Sequence, residues 1–526
     1  MADALPAPND AASGAKGAAA PGADVAQLPV RNHLLLIIGV MIASLLQVLD
    51  ITIANVAIPH MQSSLGASPE SISWVLTSYI IASAVAMPIT GWLADRVGSR
   101  RLFLASVIMF VVASMLCGVA QNLEEMVLFR ALQGVGGAFI APLSQSSLLD
   151  TTRPSRQPQM IALWGMGVMI GPIAGPVLGG WLTEMASWRW VFIVNVPVGI
   201  LCIAILMAEL PSRPVVKRRF DLFGFSAIAI GLASLQLLLD RGNVLDWFTA
   251  KENWLWAFLA ISSLWVALIH LVSAREPLFD RRLFKDRNFA VALLFMIVVG
   301  IVMFATMALM PMMLQGLFGY DVIDTGLVLM PRGVGVLISM QISGLLMRKG
   351  VDARWLVASG FLICTWSLYA MSLWSLEADR YHFVVTGLIQ GLGIGLVFIP
   401  LNATAFATLP PQLRTDGSSL LNLTRSIGSS IGISLATTLL TRSIQRNHSQ
   451  MAEHVGPQLS QMFDFTSIDR YLRWSKAVLS VADGMVNRQA AMIGYINDFR
   501  MMMWLSLAAV PLVLVMRRSP RYGRPR

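Results

Sequence analysis

Gly91-Trp92-Leu93-Ala94-Asp95-Arg96-Val97-Gly98-Ser99-Arg100-Arg101 sets a few charged residues between two apolar runs, 71–94 and 102–120. A helical run of about 18 residues or more crosses ~30 Å of hydrocarbon, so the charged stretch reads as a tight hairpin at one membrane face. Gly91 and Gly98 bracket the turn and let the two helices approach closely. Asp95 stands at the inner helix end, where it can pair with neighbouring arginines or cap a helix. With Arg96, Arg100 and Arg101 it forms a charged latch that can open and close with the state of a carrier. The plainer alternative is a static loop that only fixes topology.

Outward from this hairpin the pattern repeats. Fourteen apolar spans are expected: 33–58, 71–94, 102–120, 125–149, 158–183, 190–209, 222–240, 253–273, 288–316, 323–347, 354–374, 382–408, 416–441 and 493–516. The composition agrees, with 56% of the 526 residues hydrophobic, 13% charged and a mean hydropathy of +0.66. Soluble domains are about a quarter charged. A soluble enzyme, a disordered regulator and a secreted disulfide scaffold are therefore excluded, leaving an all-α polytopic membrane protein.

The net charge of +10 would suggest nucleic acid in a soluble chain. Here the basic residues crowd the loops after even-numbered spans, for example Arg96, Arg100, Arg101, Arg153, Arg156, Arg213, Lys217, Arg218 and Arg219. Short loops after odd-numbered spans hold only Arg189, Arg241, Lys251 and Arg380. This positive-inside bias places both termini in the cytoplasm and makes the bilayer, not nucleic acid, the partner. Residues 1–32 read as a disordered cytoplasmic tail, 517–526 as a basic cytoplasmic tail, and 442–490 as a partly helical outer loop. Cys117, Cys202 and Cys364 are scattered through apolar spans, and the six histidines form no cluster, so neither disulfides nor a metal site are expected.

Gln133-Gly134-Val135-Gly136 with Pro142-Leu143 recurs as Gln390-Gly391-Leu392-Gly393 with Pro400-Leu401. Two related six-span halves, 33–209 and 288–516, separated by two extra helices in 210–287, would produce this spacing as a 6+2+6 plan.

Two charges fall inside spans of the first half. Asp50 lies about 17 residues into the first span, roughly 25 Å of rise, and Arg130 about 5 residues into an oppositely directed one, roughly 8 Å. The two rises together approximate the hydrocarbon thickness, so both side chains stand at one level, although the sequence leaves their facing open. An acid that gains and loses a proton beside an arginine can couple carrier state to proton binding; a structural ion pair is the alternative. The matching position in the second half is Gly387, so the arginine is not duplicated there. In the fifth span, Gly167, Gly171, Pro172, Gly175, Pro176 and Gly179 make a side-chain-free groove with sites for bending.

The Gly91–Arg101 segment resembles the loop signature of the major facilitator superfamily, and nearly the whole chain is similar to its fourteen-span drug:proton antiporters of the EmrB/QacA type. That resemblance implies a major-facilitator fold and assigns proton coupling to Asp50 and Arg130. It also marks the glycine–proline pattern of the fifth span as that of exporters exchanging substrate against protons. An inner-membrane location, hydrophobic small-molecule substrates, and a periplasmic adaptor passing them to an outer-membrane channel are implied with it.

Candidates for the cavity are Asn55, Trp74, Tyr79, Gln133, Met303, Met307, Gln315, Arg332, Asn402 and Arg425. Arg332 and Arg425 either line the cavity or bind carbonyl-rich helix ends. Asn195, Gln236, Gln315, Gln341 and Asn402 read more readily as interhelical hydrogen bonds, and Trp74 equally as an interfacial anchor. The chain has no nucleotide-binding loop of the Gly-x-x-x-x-Gly-Lys-Ser/Thr type, so an ion gradient rather than a bound cofactor is the expected energy source. Nothing suggests catalysis. The rival readings are a transport-silent membrane sensor or scaffold, which intramembrane Asp50 and Arg130 argue against, and an organic-acid importer, which the fifth span argues against.

Overall fold

Asparagine and aspartate side chains start the long helices. Asn32 caps α1 (His33–Ser64) and Asn122 caps α4 (Leu123–Thr151). Asp221, Asp286, Asp321, Asp352 and Asp379 cap α7 (Leu222–Arg241), α9 (Arg287–Gly316), α10 (Val322–Arg348), α11 (Ala353–Met371) and α12 (Arg380–Ala407). In each case the side-chain oxygen accepts from an otherwise unpaired first-turn N–H. The remaining long helices are α2 (Trp74–Val97), α3 (Ser99–Val119), α5 (Pro154–Met185), α6 (Trp190–Glu209), α8 (Lys251–Ser273), α13 (Arg414–Met462) and α14 (Lys476–Leu512). Gly98, at φ +97°, makes the break between α2 and α3 that an L side chain resists.

This computed structural model describes residues 24–68, 70–216, 218–462 and 476–517. Most of the expected N-terminal tail, the centre of the expected outer loop and the end of the basic tail lie outside the described residues. Among the described residues the chain is all-helical, and twelve helices are long and apolar enough to span a membrane. Two expected spans fall outside that group. Both form helices, α11 and α13, but Arg354, Trp355, Ser359, Thr365 and Ser367 dilute the first, and Ser418, Ser419, Asn422, Thr424 and Arg425 the second. The expected outer loop is largely helical, since α13 runs on to Met462 and α14 starts at Lys476.

The packing repeats. α1 lies against α4, α5 and α6, α4 against α2 and α3, and α3 against α6; α9 lies against α12, α13 and α14, α12 against α10 and α11, and α11 against α14. Each of these six pairings of the first set thus recurs eight helices later. The two sets meet along α5 and α10, with Gly326 against Val177 and Gly333 against Ile173, and where α13 crosses α2 and α4. α7 and α8 pair with each other, and α7 fits beside both α2 and α13, its Leu239 carbonyl accepting from Ser434.

Candidate functional site

Asp50 and Arg130 are both fully buried, and they face each other. The Arg130 Nη1 donates to Asp50 Oδ2 at 2.6 Å. The other carboxylate oxygen accepts from Gln133 Nε2 and from Asn195 Nδ2, each at 2.8 Å. Four helices therefore converge on one carboxylate: α1 supplies it, α4 supplies Arg130 and Gln133, α6 supplies Asn195, and α3 supplies Ser114, whose hydroxyl oxygen accepts from Asn195 at 3.0 Å. Arg130 is fixed further by donating Nε to the Val75 carbonyl and Nη1 to Gln133 Oε1. Its guanidinium carbon lies 4.5 Å from the Tyr79 ring centroid and 5.6 Å from that of Phe192.

Three donors, one of them a cation, surround the Asp50 carboxyl. Beside it, Arg130 Nη2 and Asn195 Oδ1 lack hydrogen-bond partners among the described residues.

The glycine stripe of α5 holds α1 in place. A Cβ at Gly167 would strike Met41, at Gly171 the Leu49 backbone and Val48, at Gly175 Thr52, and at Gly179 Ile53. Thr52 Oγ1 also reaches the Gly171 carbonyl at 3.3 Å. Pro172 and Pro176 lie within a continuous helix. The stripe's crossing brackets Asp50, and the opposite face of α5 meets α10.

At the end of the bundle where the arginine-rich loops gather, the two six-helix sets are tied by charge. Asp95 does not pair with the arginines of its own loop, as the sequence suggested; its partner is Arg218, at 3.1 Å. Arg96 and Arg101 are exposed, and Arg100 donates to the Met207 carbonyl. Arg218, from the segment between α6 and α7, also pairs with buried Asp416 of α13 at 3.0 Å. Burial by itself would lower the Arg218 guanidinium, and Asp416 and Asp95 more than reverse this, holding it above its ordinary value. Gly91 is required here because a Cβ would overlap the Asp416 carboxylate. Nearby, Asp150 of α4 pairs with Arg213 and with Arg414, and Gln145 joins Asn402 and Ser418 at 2.9 and 2.5 Å.

The other candidates scatter. Gln133 belongs to the carboxylate cluster, and Tyr79 is buried beneath Arg130. Trp74 stacks near Arg241, 5.6 Å from its ring centroid. Asn402 is an inter-set hydrogen-bond partner, whereas Asn55 and Gln315 are exposed. Met303 is buried and Met307 half-buried; Arg332 donates to the Met303 carbonyl and Arg425 to Asn422. Sequence reading missed Gln145, Asp150, Asp416 and the bridging role of Arg213, Arg218 and Arg414. Their signal was polarity at one end of otherwise apolar helices. It also passed over Asp498, buried in α14 with neither oxygen hydrogen-bonded among the described residues. No group of metal-ligating side chains occurs among the described residues.

A family model described as Major Facilitator Superfamily matches residues 40–433. The chain belongs to the major facilitator superfamily. It is 35% identical over 509 residues to the Multidrug export protein EmrB of Escherichia coli (strain K12), covering 94% of this chain and 98% of that protein. The Fatty acid resistance protein FarB of Neisseria gonorrhoeae is 32% identical over 477 residues, covering 90% and 94%. Among solved structures, the human organic anion transporter MFSD10 (TETRAN) superposes with a TM-score of 0.58 over 90% of this chain and 99% of that one, at 13% identity, a likeness of fold. This is an EmrB-type member of the superfamily and a multi-pass membrane protein.

Proposed function

We propose that this transporter is a proton-coupled antiporter that exports hydrophobic drugs or other toxic small molecules across the cytoplasmic membrane by alternating access. The printed names of its relatives support the cargo class. The observation that carries the coupling is the Asp50 carboxylate, buried and held by three donors, one of them a cation. We extend the architecture to fourteen spans in a 6+2+6 layout, 33–209, 210–287 and 288–516, with α11 and α13 as spans and both termini cytoplasmic, so that the Gly91–Arg101 loop gates the inner side. The energy source is the proton gradient, without a cofactor. A periplasmic adaptor, if the cell has two membranes, meets the helical extension of α13 and α14.

In this scheme the structure corresponds to the state closed at the inner end by Arg218 and Asp150, with Asp50 awaiting a proton. Protonation releases Arg130, α1 shifts against α4, and the glycine seam passes the shift to α5 and, through its opposite face, to α10. The inner tie then opens, cargo enters, and Arg130 expels the proton inward when the pair re-forms.

The test is drug-dependent proton movement in proteoliposomes carrying an inside pH dye. Wild-type protein should acidify or alkalinise the lumen only when both a gradient and a hydrophobic substrate are supplied. Asp50→Asn should leave substrate exchange without net proton flux. Undiminished gradient-driven drug movement by that variant refutes the coupling role.

A further inference from the structure

The repeated packing allows the proton site to be located a second time. In the first set a Cβ at Gly134 would meet the Tyr79 carbonyl, and in the second a Cβ at Gly391 would meet the Arg332 carbonyl. Arg332 therefore stands where Tyr79 does. Thr52 lies against Gly175 as Ile301 lies against Gly432, which puts Val299 in the place of Asp50. Gly387 replaces Arg130, and Gln390 replaces Gln133. The second set thus keeps a buried guanidinium, delivered from α10 instead of α12, and has lost the carboxylate.

What remains there is a cation without a counter-charge. Arg332 is 9% exposed, and Nη2 donates to the Met303 carbonyl at 3.0 Å. No carboxylate pairs with it among the described residues. Val299, in the place of the acid, borders a small void of about 10 Å³ that exposes only apolar surface and does not include Arg332 among its lining residues. Arg425, equally without an acid, lies 5.9 Å from the ring of Phe304, the residue after Met303. A charge buried in a membrane span is costly unless something pairs with it. The first set carries its own anion; in the second, no acid among the described residues stands against the guanidinium of Arg332.

We propose that Arg332 receives the anionic head group of an amphipathic cargo, a carboxylate for instance, so that the second set binds cargo with the same framework that binds the proton in the first. This deepens the export reading by naming a substrate class, and it places cargo against α10, the helix that α5 contacts.

Binding without any gradient tests it. Radiolabelled octanoate is titrated onto the full chain in nanodiscs by scintillation proximity, with octanamide as the neutral isostere and octylammonium as the cation. Wild type should hold octanoate at least tenfold more tightly than octanamide. Arg332→Gln should abolish that advantage while leaving octanamide affinity unchanged, and Arg332→Lys, which keeps the charge, should retain part of it. Equal affinity for acid and amide in wild type, preference for octylammonium, no octanoate binding at millimolar concentration, or an advantage that survives Arg332→Gln each overturns the proposal. Should Arg332→Gln fail to fold, the wild-type comparison and Arg332→Lys decide. Because no proton moves in this assay, its failure leaves the coupling role of Asp50 standing, and loss of that role leaves this result standing.

Discussion

Replacing Asp50 with Asn keeps the shape of the side chain and removes its charge, which isolates what the ion pair contributes. Three donors now converge on a group with one acceptor oxygen. The amide of Asn195 can turn over, because its Oδ1 has no partner and would accept from the new NH2. Gln133 cannot do the same, because its Oε1 already accepts from Arg130. Nor can Arg130, since its guanidinium is pinned by the Val75 carbonyl and by the faces of Tyr79 and Phe192 and has no other acid partner among the described residues. Breaking a buried pair by removing one partner costs about 3–5 kcal/mol. At roughly 2–4 °C per kcal/mol for a body of the size of the first six helices, the unfolding midpoint should fall by about 6–20 °C. Adding Arg130→Gln removes the stranded charge, so the double variant should recover most of that loss, leaving a strongly non-additive cycle. Tryptophan-fluorescence melts of detergent-solubilised wild type, the two single variants and the double variant measure this. A single-variant midpoint within about 2 °C of wild type, or a double variant as low as the sum of the singles, would show that the pair is not energetically coupled.

Asp416→Asn should loosen the tie to Arg218 by about 1.5–3 kcal/mol, the range for a hydrogen bond to a charged group; faster hydrogen exchange around 145–150 is the expected result, and unchanged exchange counts against a latch. Gly175→Ala should drive a methyl into Thr52 and cost about 1–3 kcal/mol through overpacking. Thr52→Gly in the same chain removes both the hydroxyl and the Cβ that the methyl would meet and should restore transport, and failure to rescue would separate the seam from function. Asp498→Asn should preserve drug-dependent proton flux in proteoliposomes; its loss would move the coupling role from α1 to α14.

Much of the fold was legible because membrane spans announce themselves by length and hydropathy, and because Asp50 and Arg130 stand out as charges in apolar runs. Their common depth followed from helical rise. Their facing did not, since it depends on how α1, α3, α4 and α6 pack, and the two amides completing the site, Gln133 and Asn195, look like any interhelical polar residue. Asp95 was assigned to the wrong arginines for a similar reason. Its loop offered three at close sequence distance, whereas the partner, Arg218, lies more than a hundred residues on and is brought near by the chain crossing from α6 to α7. Asp416 was taken only as the start of a span. The missing Cβ of Gly91 makes room for it, so the glycine of the hairpin and the acid of α13 are one feature split between distant parts of the sequence.

The asymmetry between the two six-helix sets follows from exchanges at matched positions within a nearly constant frame. Gln133 and Gln390 persist, the glycines that set the α2–α4 and α10–α12 crossings persist, and the α1–α5 seam returns as Gly428 and Gly432 against α9. Asp50 gives way to Val299, Arg130 to Gly387 and Tyr79 to Arg332. These changes are physically linked. Without the acid, an arginine at 387 would have no counter-charge, and glycine there leaves the space into which a neighbouring helix can send its own guanidinium. Without an arginine at 387 there is no need for an aromatic face at 332 to support one. A symmetric pair of Asp–Arg sites would give both sets the same response to a proton and nothing to distinguish cargo from proton. In the proposed scheme, breaking the symmetry at these three positions lets one set answer to the gradient while the other answers to what is being moved, with α5 and α10 as the contact through which each senses the other.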